Sequence, residues 1–363
     1  MKKAVIFGYT MDMGGAEKAL LNVMNVLKQY YKIDLVLLKK TGVLIDEIPE
    51  EINVKSIRNN NVFSTIRYIF FRYIPFIRKI IINKLTNKHY DLAIAFMEGR
   101  AATWLIDMKQ QCKKVAWIHN DVSKFNIGIS EKEIKKTYSK LDNIIIVSKY
   151  SQKTFCEKYH ISKEKTQVIY NLIDEENILK NANNKQIPKN KFTFINVAKM
   201  RPQKRHDRLI NAVKILKDKG YDFELWLVGN GELEDQIKEQ IKYLKLDDTV
   251  KLLGLITNPY PYIKTANYFV MSSDHEGYPL SLLESLLLKT PVITTNVSGA
   301  KEILKNDKYG IICDIDTKSL ASAMERVLNN ENIKYIEDNL NDYKGSNKGI
   351  IKQLLNLFKT NSK

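Results

Sequence analysis

Glu276 and Glu284 stand eight positions apart in the stretch SSDHEGYPLSLLESLLLKTPVI, residues 272–293. Gly277, Tyr278, Pro279 and Leu280 lie between them and open into an apolar helical run. A carboxylate only accepts hydrogen bonds, so a pair spanning a loop and a helix start suits a hydroxyl-rich ligand. The backbone N–H groups of such a helix start suit an anion. A single acid there would be no more than a favourable dipole partner; the pair argues for a ligand.

Other stretches carry matching chemistry. NVAKMRPQKRHDRLINA, residues 196–212, sets Lys199, Arg201, Lys204 and Arg205 between a strand and a helix, an arrangement that binds phosphate without a metal. The alternative for those cations is a solvated face. VAWIHND puts His119, Asn120 and Asp121 at a strand end, where a polar cluster serves sugar binding or acid/base work, or else ties down a loop. Gly14 and Gly15 in YTMDMGGAEKALLNV would let backbone approach a ligand at a helix N-terminus, though an ordinary turn reads the same. Leu255, in LLGLITN, follows a strand whose turn could meet a base edge. Asp314 and Asp316 mimic a metal-binding pair, but Asp316 reads as the N-cap of a helix over 317–329.

These segments need elements to hold them. Short Val/Ile/Leu runs alternate with helical patterns, which predicts parallel sheets built from βαβ units. In the first half the strands fall at 3–8, 32–38, 91–96, 114–119, 143–148 and 166–170, with helices near 15–30, 62–86, 99–108, 130–140 and 149–159. In the second half strands fall at 192–198, 223–229, 249–254, 268–273, 291–295 and 310–314. Helices there fall near 205–219, 232–245, 281–288, 299–305 and 317–329. The Asn- and Lys-rich segment 171–191 reads as a linker. The expected class is therefore α/β, with two tandem Rossmann-like domains, 1–170 and 192–344. An amphipathic helix within 345–363 is free to pack back on either, the first being the expected one. In this architecture ligands bind beyond the carboxyl ends of the strands, so the expected active site is the interdomain cleft.

The 363 residues carry a net charge of +17, which calls for a negatively charged partner. No nucleic-acid motif accompanies the charge, and the basic residues are dispersed. Three scattered cysteines fit a reducing cytoplasm, and neither a signal peptide nor a clean transmembrane run is present. From Ile52 to Tyr90 there are eight Lys/Arg residues and no acid. Arg67, Arg72, Arg78 and Lys79 are mixed there with Phe, Tyr and Ile, which suits docking on an anionic membrane surface. Pro75 is expected to kink that helix or split it in two.

Taken in order, GGAEKALLNV, WIHND, VSKYSQKTF, the basic loop at 199–205, LWLVGNGE, LLG and the two-glutamate motif followed by TPVITTNVSGAKEIL resemble family-4 retaining glycosyltransferases with the GT-B fold. WIHND with VSKYSQKTF is most similar to bacterial capsule and exopolysaccharide enzymes. The resemblance implies roles for matching positions. Glu284 would hold the ribose of a nucleotide diphosphate sugar, expected to be UDP-linked. Glu276 and the amides of Gly277 to Leu280 would meet the donor sugar and diphosphate. Lys204 would bind the diphosphate, Gly15 would approach it from the other domain, and His119 would lie beside the sugar. The catalytic set is then His119, Glu276 and Lys204. The family's usual Arg is replaced by Lys199, for which Arg201 could compensate.

The implied reaction is metal-independent, cofactor-free transfer with retention to a saccharide acceptor, expected to be lipid-linked, in cell-surface polysaccharide synthesis. The implied location is cytoplasmic, peripheral on the inner face of the plasma membrane. A sugar-nucleotide epimerase on the same fold, an inactive partner subunit and a basic nucleic-acid binder are the alternatives.

Overall fold

The computed structural model describes residues 1–58, 62–124, 127–331, 333–345 and 347–358. The chain forms two compact units. One joins Met1–Leu172 to the C-terminal segment from 346 onward, and the other is Ile173–Gly345.

The first unit is built on strands β1 (Lys2–Gly8), β2 (Tyr31–Lys39), β3 (Asn53–Arg58), β4 (Leu92–Ala95), β5 (Lys113–Ile118), β6 (Asn143–Ile146) and β7 (Thr166–Val168). They pair in parallel in the order β3-β2-β1-β4-β5-β6-β7. β4 is buried at all four positions, as a strand covered by helices on both faces must be. The second unit carries β8 (Thr193–Val197), β9 (Glu224–Val228), β10 (Val250–Gly254), β11 (Tyr268–Met271), β12 (Val292–Thr295) and β13 (Gly310–Cys313) in the order β10-β9-β8-β11-β12-β13. Both sheets reverse direction of growth beside their first strand. The switch points lie between β1 and β4 and between β8 and β11, and open α/β sheets bind ligands beyond such points.

Helices α1 (Gly15–Leu27), α2 (Val62–Tyr73), α3 (Pro75–Leu85) and α4 (Arg100–Asp107) belong to the first unit. Pro75 splits the predicted 62–86 helix, standing at the first position of α3 where its missing N–H costs nothing. Trp104 of α4 takes the ring edges of Phe7 at 5.9 Å, Tyr9 at 5.7 Å and Phe71 at 5.7 Å, so it joins β1, its following loop and α2. The C-terminal helix Asn347–Phe358 buries Ile350, Leu354 and Phe358. The Phe358 carbonyl accepts from the Tyr31 hydroxyl at 2.9 Å.

Three readings need correction. β3 was not anticipated: NVKSIR has only two apolar residues, Val54 and Ile57, and forms the sheet edge. The segment taken as a linker contains the helix Glu175–Asn181, with Ile178 buried and Asp174 as its N-cap. Helices Tyr260–Thr265 and Ile333–Asn341 were also unforeseen.

Candidate active site

In the second unit, β8 and β11 are neighbours, so the loops that leave them run side by side. The first loop passes through a short turn at Pro202–Lys204 to Arg205, whose φ of 50° turns the chain into the helix His206–Asp218. The second runs from Ser272 to the helix Leu280–Leu287. The two are laced together. Asp274 N–H donates to the Gln203 carbonyl at 2.9 Å, and Gln203 Nε2 donates to the His275 carbonyl at 2.6 Å. Ser272 Oγ donates to the Lys204 carbonyl at 2.9 Å.

Arginines finish the brace. Arg205 Nη1 reaches Asp274 Oδ2 at 3.1 Å and its Nη2 reaches Asp207 at 2.9 Å. Arg208, buried, donates to the Ser272 carbonyl at 2.7 Å and to Asp274 Oδ1 at 2.6 Å. Arg205 is thus committed to the brace, its guanidinium shared between Asp207 and Asp274. Arg208 and Asp274 were missed because their partners lie more than sixty residues away in sequence.

On this frame Lys204 Nζ meets Glu276 Oε1 at 2.6 Å. The pair sits at the rim, with the lysine side chain 25% exposed and the glutamate 11%. Lys199 is half-buried in the same loop, and Arg201 is exposed and makes no ion pair among the described residues. Glu284 is buried one turn inside the helix. That helix has no side-chain cap at its N-terminus, so its first N–H groups are open to an anion. Gly299 backs the loop: a Cβ there would stand 2.6 Å from the Gly277 carbonyl oxygen and 2.9 Å from Tyr278 Cα. Tyr278 and Leu280 are buried against this turn. Leu255, exposed, lies just past β10, at the far edge of the sheet from β11.

In the first unit, the loops after β1, β4 and β5 carry the polar groups. His119 follows β5 and is buried, its ring 4.6 Å from Phe96 and stacked 5.8 Å from Trp117. Neither ring nitrogen has a hydrogen-bond partner among the described residues. Burial pushes the imidazole down to about 3, so it is neutral at pH 7. Glu98, after β4, was not foreseen. Its carboxyl accepts from the His119 N–H at 3.2 Å and from Asn120 Nδ2, and burial raises its pKa. The MEGR tetrapeptide at a strand end was the available signal. The Tyr9 hydroxyl donates to the Glu98 carbonyl at 3.1 Å and accepts from Ala101 N–H at 3.2 Å, which locks the loop, and burial raises its pKa to about 12. Asp121 accepts from Ser123 within its own turn, at 3.0 Å to N–H and 2.7 Å to Oγ. Gly14 caps α1, and a Cβ on Gly15 would meet nothing within 4 Å, leaving room for a ligand.

Of the basic surface residues, Arg72 is exposed over the Tyr73 ring at 5.3 Å, and Lys79 is exposed. Arg78 is turned inward and pairs with Asp107, which removes it from a membrane-facing set. The Arg67 side chain lies outside the described residues. Asp316 caps its helix by accepting from Ser319 N–H at 2.8 Å, as expected. Among the described residues no three His, Cys, Asp or Glu side chains converge as a metal site, and no helix is long and apolar enough to cross a membrane.

Two doubly wound parallel sheets, with charged loops at the second switch point, are the build of a GT-B glycosyltransferase. Residues 13–177 match the model described as Glycosyltransferase Family 4, and residues 177–343 match Glycosyl transferases group 1. The chain belongs to glycosyltransferase family 4, whose members use nucleotide-sugar donors. It is 29% identical over 92% of both chains to the N-acetylgalactosamine-N,N'-diacetylbacillosaminyl-diphospho-undecaprenol 4-alpha-N-acetylgalactosaminyltransferase of Campylobacter jejuni. It is 25% identical, again over 92% of each, to the capsular polysaccharide biosynthesis glycosyltransferase CapH of Staphylococcus aureus. The crystal structure of Anabaena Alr3699/HepE in complex with UDP and glucose has the same fold. Its TM-score is 0.77 at 19% identity, covering 99% of this chain and all of that one.

Proposed function

We propose that the protein transfers a hexose from a UDP-sugar, with retention, to a lipid-linked saccharide at an anionic membrane surface, as a step in cell-surface polysaccharide synthesis. The observation that carries this reading is the Lys204–Glu276 pair, held at the second switch point by a braced loop. In the free protein the two charges satisfy each other. An arriving donor offers Lys204 a diphosphate and Glu276 sugar hydroxyls, so each charge gains a better-matched partner. Lys204 and the uncapped helix N–H groups then meet the charge that develops on the departing diphosphate. Glu284 takes the ribose hydroxyls.

A leaving phosphate oxygen serves as base for the acceptor hydroxyl, on the face from which it departs. The neutral imidazole of His119 is then a hydrogen-bonding group toward a sugar hydroxyl, not a general base. These side chains accomplish the charge stabilisation without a metal. Support for UDP comes from the HepE complex, and for a lipid diphosphate acceptor from the name of the Campylobacter enzyme. Ile69, Phe70, Tyr73, Ile74 and Phe76 are exposed on α2 and α3 beside Arg72 and Lys79, a surface suited to an anionic bilayer.

A thermal-shift panel of UDP-, GDP- and ADP-sugars tests the donor, with stabilisation by UDP-sugars expected. Turnover in EDTA tests the metal claim: activity lost and restored by Mn²⁺ would contradict it. Flotation with anionic liposomes tests docking, and no binding at low salt would remove it.

A further inference from the structure

Glu98 lies in the loop that leaves β4, beside the switch point of the first unit. It is 7% exposed, and no cation pairs with it among the described residues. A carboxylate buried in this way is costly, so what it holds matters. Its Oε2 accepts from the His119 N–H at 3.2 Å and its Oε1 from Asn120 Nδ2. Both donors favour the ionised form, against the burial that raises its pKa. The loop itself is pinned on both sides of the residue. The Glu98 carbonyl accepts from the Tyr9 hydroxyl at 3.1 Å, and the Gly99 N–H donates to the Tyr138 hydroxyl at 2.9 Å. Gly99 has a φ of 80°, and a Cβ there would collide with the Ile127 carbonyl oxygen, so the loop has no slack.

These two bonds decide which way the Asn120 amide faces. A side-chain amide has one donating end and one accepting end. With its NH2 turned to Glu98, Asn120 is half-buried and its Oδ1 makes no hydrogen bond among the described residues. The preceding His119 likewise leaves both ring nitrogens unpartnered among them, so this strand end presents unmatched polar atoms. Only a carboxylate at position 98 can serve both donors, because a glutamine has a single oxygen. The His119 N–H is main chain and cannot turn, so that oxygen must stay with it. A glutamine NH2 would then face Asn120 and force it to flip, carbonyl inward and NH2 outward.

We infer that Glu98 is a positioning residue: it fixes the Asn120 amide with its NH2 inward, so that the Asn120 carbonyl oxygen accepts from a hydroxyl of a sugar lying beside His119. This rests on the sugar transfer proposed above.

The test follows UDP released by the full chain from UDP-glucose, UDP-N-acetylglucosamine and UDP-N-acetylgalactosamine, with a polyprenyl-diphosphate-linked saccharide present or with water alone. Glu98→Gln should lower kcat/KM by about tenfold or more, yet melt no lower than wild type, because an amide is cheaper to bury than a carboxylate. Adding Asn120→Asp returns an accepting oxygen to the outward side and keeps the net charge. The double variant Glu98→Gln/Asn120→Asp should therefore recover to within about threefold of wild type. Asn120→Asp alone sets two carboxylates against each other and should be less active than the double variant. A defect already present with water alone places the hydroxyl on the donor sugar; one seen only with the saccharide present places it on the acceptor. A double variant no better than Glu98→Gln, or activity that falls only as the melting temperature falls, would make Glu98 a structural tie and overturn the inference while leaving the proposed reaction standing. If wild type is stabilised by these UDP-sugars but releases UDP from none of them, the transfer reading fails and this inference falls with it. Should Glu98→Gln not fold, Asn120→Ala carries the test, and a wild-type kcat/KM there would overturn the assignment.

Discussion

Lys204 Nζ lies 2.6 Å from Glu276 Oε1, and the two side chains come from loops that leave adjacent parallel strands. Each neutralises the other at a rim where a diphosphate and a sugar are proposed to arrive. Lys204→Met should cost about 100-fold or more in kcat/KM and remove the thermal stabilisation by UDP. Glu276→Gln keeps hydrogen-bonding shape but loses charge, and should retain UDP binding while losing the preference for UDP-sugar over UDP. Thermal shifts with the two ligands, followed by initial rates, check both.

Arg208 is the buried anchor of that loop. Arg208→Met leaves the Ser272 carbonyl unpaired and Asp274 with Arg205 alone. A loss of about 1–3 kcal/mol in stability is expected, because the Ser272 carbonyl loses its buried donor, while Asp274, partly exposed, keeps Arg205. Denaturant unfolding measures it, and a variant as stable as wild type would show that the brace is dispensable.

Gly299 tests the loop from behind. An added methyl at Gly299→Ala collides with the Gly277 carbonyl and must push the 277–278 turn outward. Overpacking of this kind costs about 1–3 kcal/mol. The donor KM should rise by about tenfold, while far-UV circular dichroism stays unchanged; a normal donor KM would mean that the turn does not grip the donor.

His119 and His206 are buried, and burial pushes them down to about 3 and about 4 from 6.5. Between those values and 6.5 the unfolded chain binds protons that the folded chain refuses, so stability rises with pH across that window and is lost on acidification. Each ring withdraws roughly 2 kcal/mol between pH 7 and pH 5. The melting midpoint should therefore fall by several degrees over that range, and by less in His206→Asn. Activity should show no inflection near 6.5 that His119→Asn abolishes.

The strands whose Val/Ile/Leu runs are buried on both faces were legible, and so were the loops that follow them. Lys204, Glu276 and Glu284 could be nominated because each sits beside a strand end or helix start that the pattern locates. β3 was not legible, since NVKSIR carries an edge strand's mixed polarity and lacks a continuous apolar run. The helix Glu175–Asn181 was hidden in an Asn- and Lys-rich stretch and shows itself through Ile178, which buries in the second unit. Glu98, Arg208 and the inward turn of Arg78 depend on partners distant along the chain, and local spacing holds no record of them.

The chain leaves the first unit after Leu172 and re-enters it for its last helix. A fragment stopped at 172 would thus lack one of its own structural pieces: the Phe358 carbonyl that meets Tyr31 and the apolar seat of Leu354 would both be gone. Dissecting this enzyme by simple truncation should yield an insoluble N-terminal half, whereas supplying residues 347–358 as a separate peptide, or splicing them directly after position 172, should restore it.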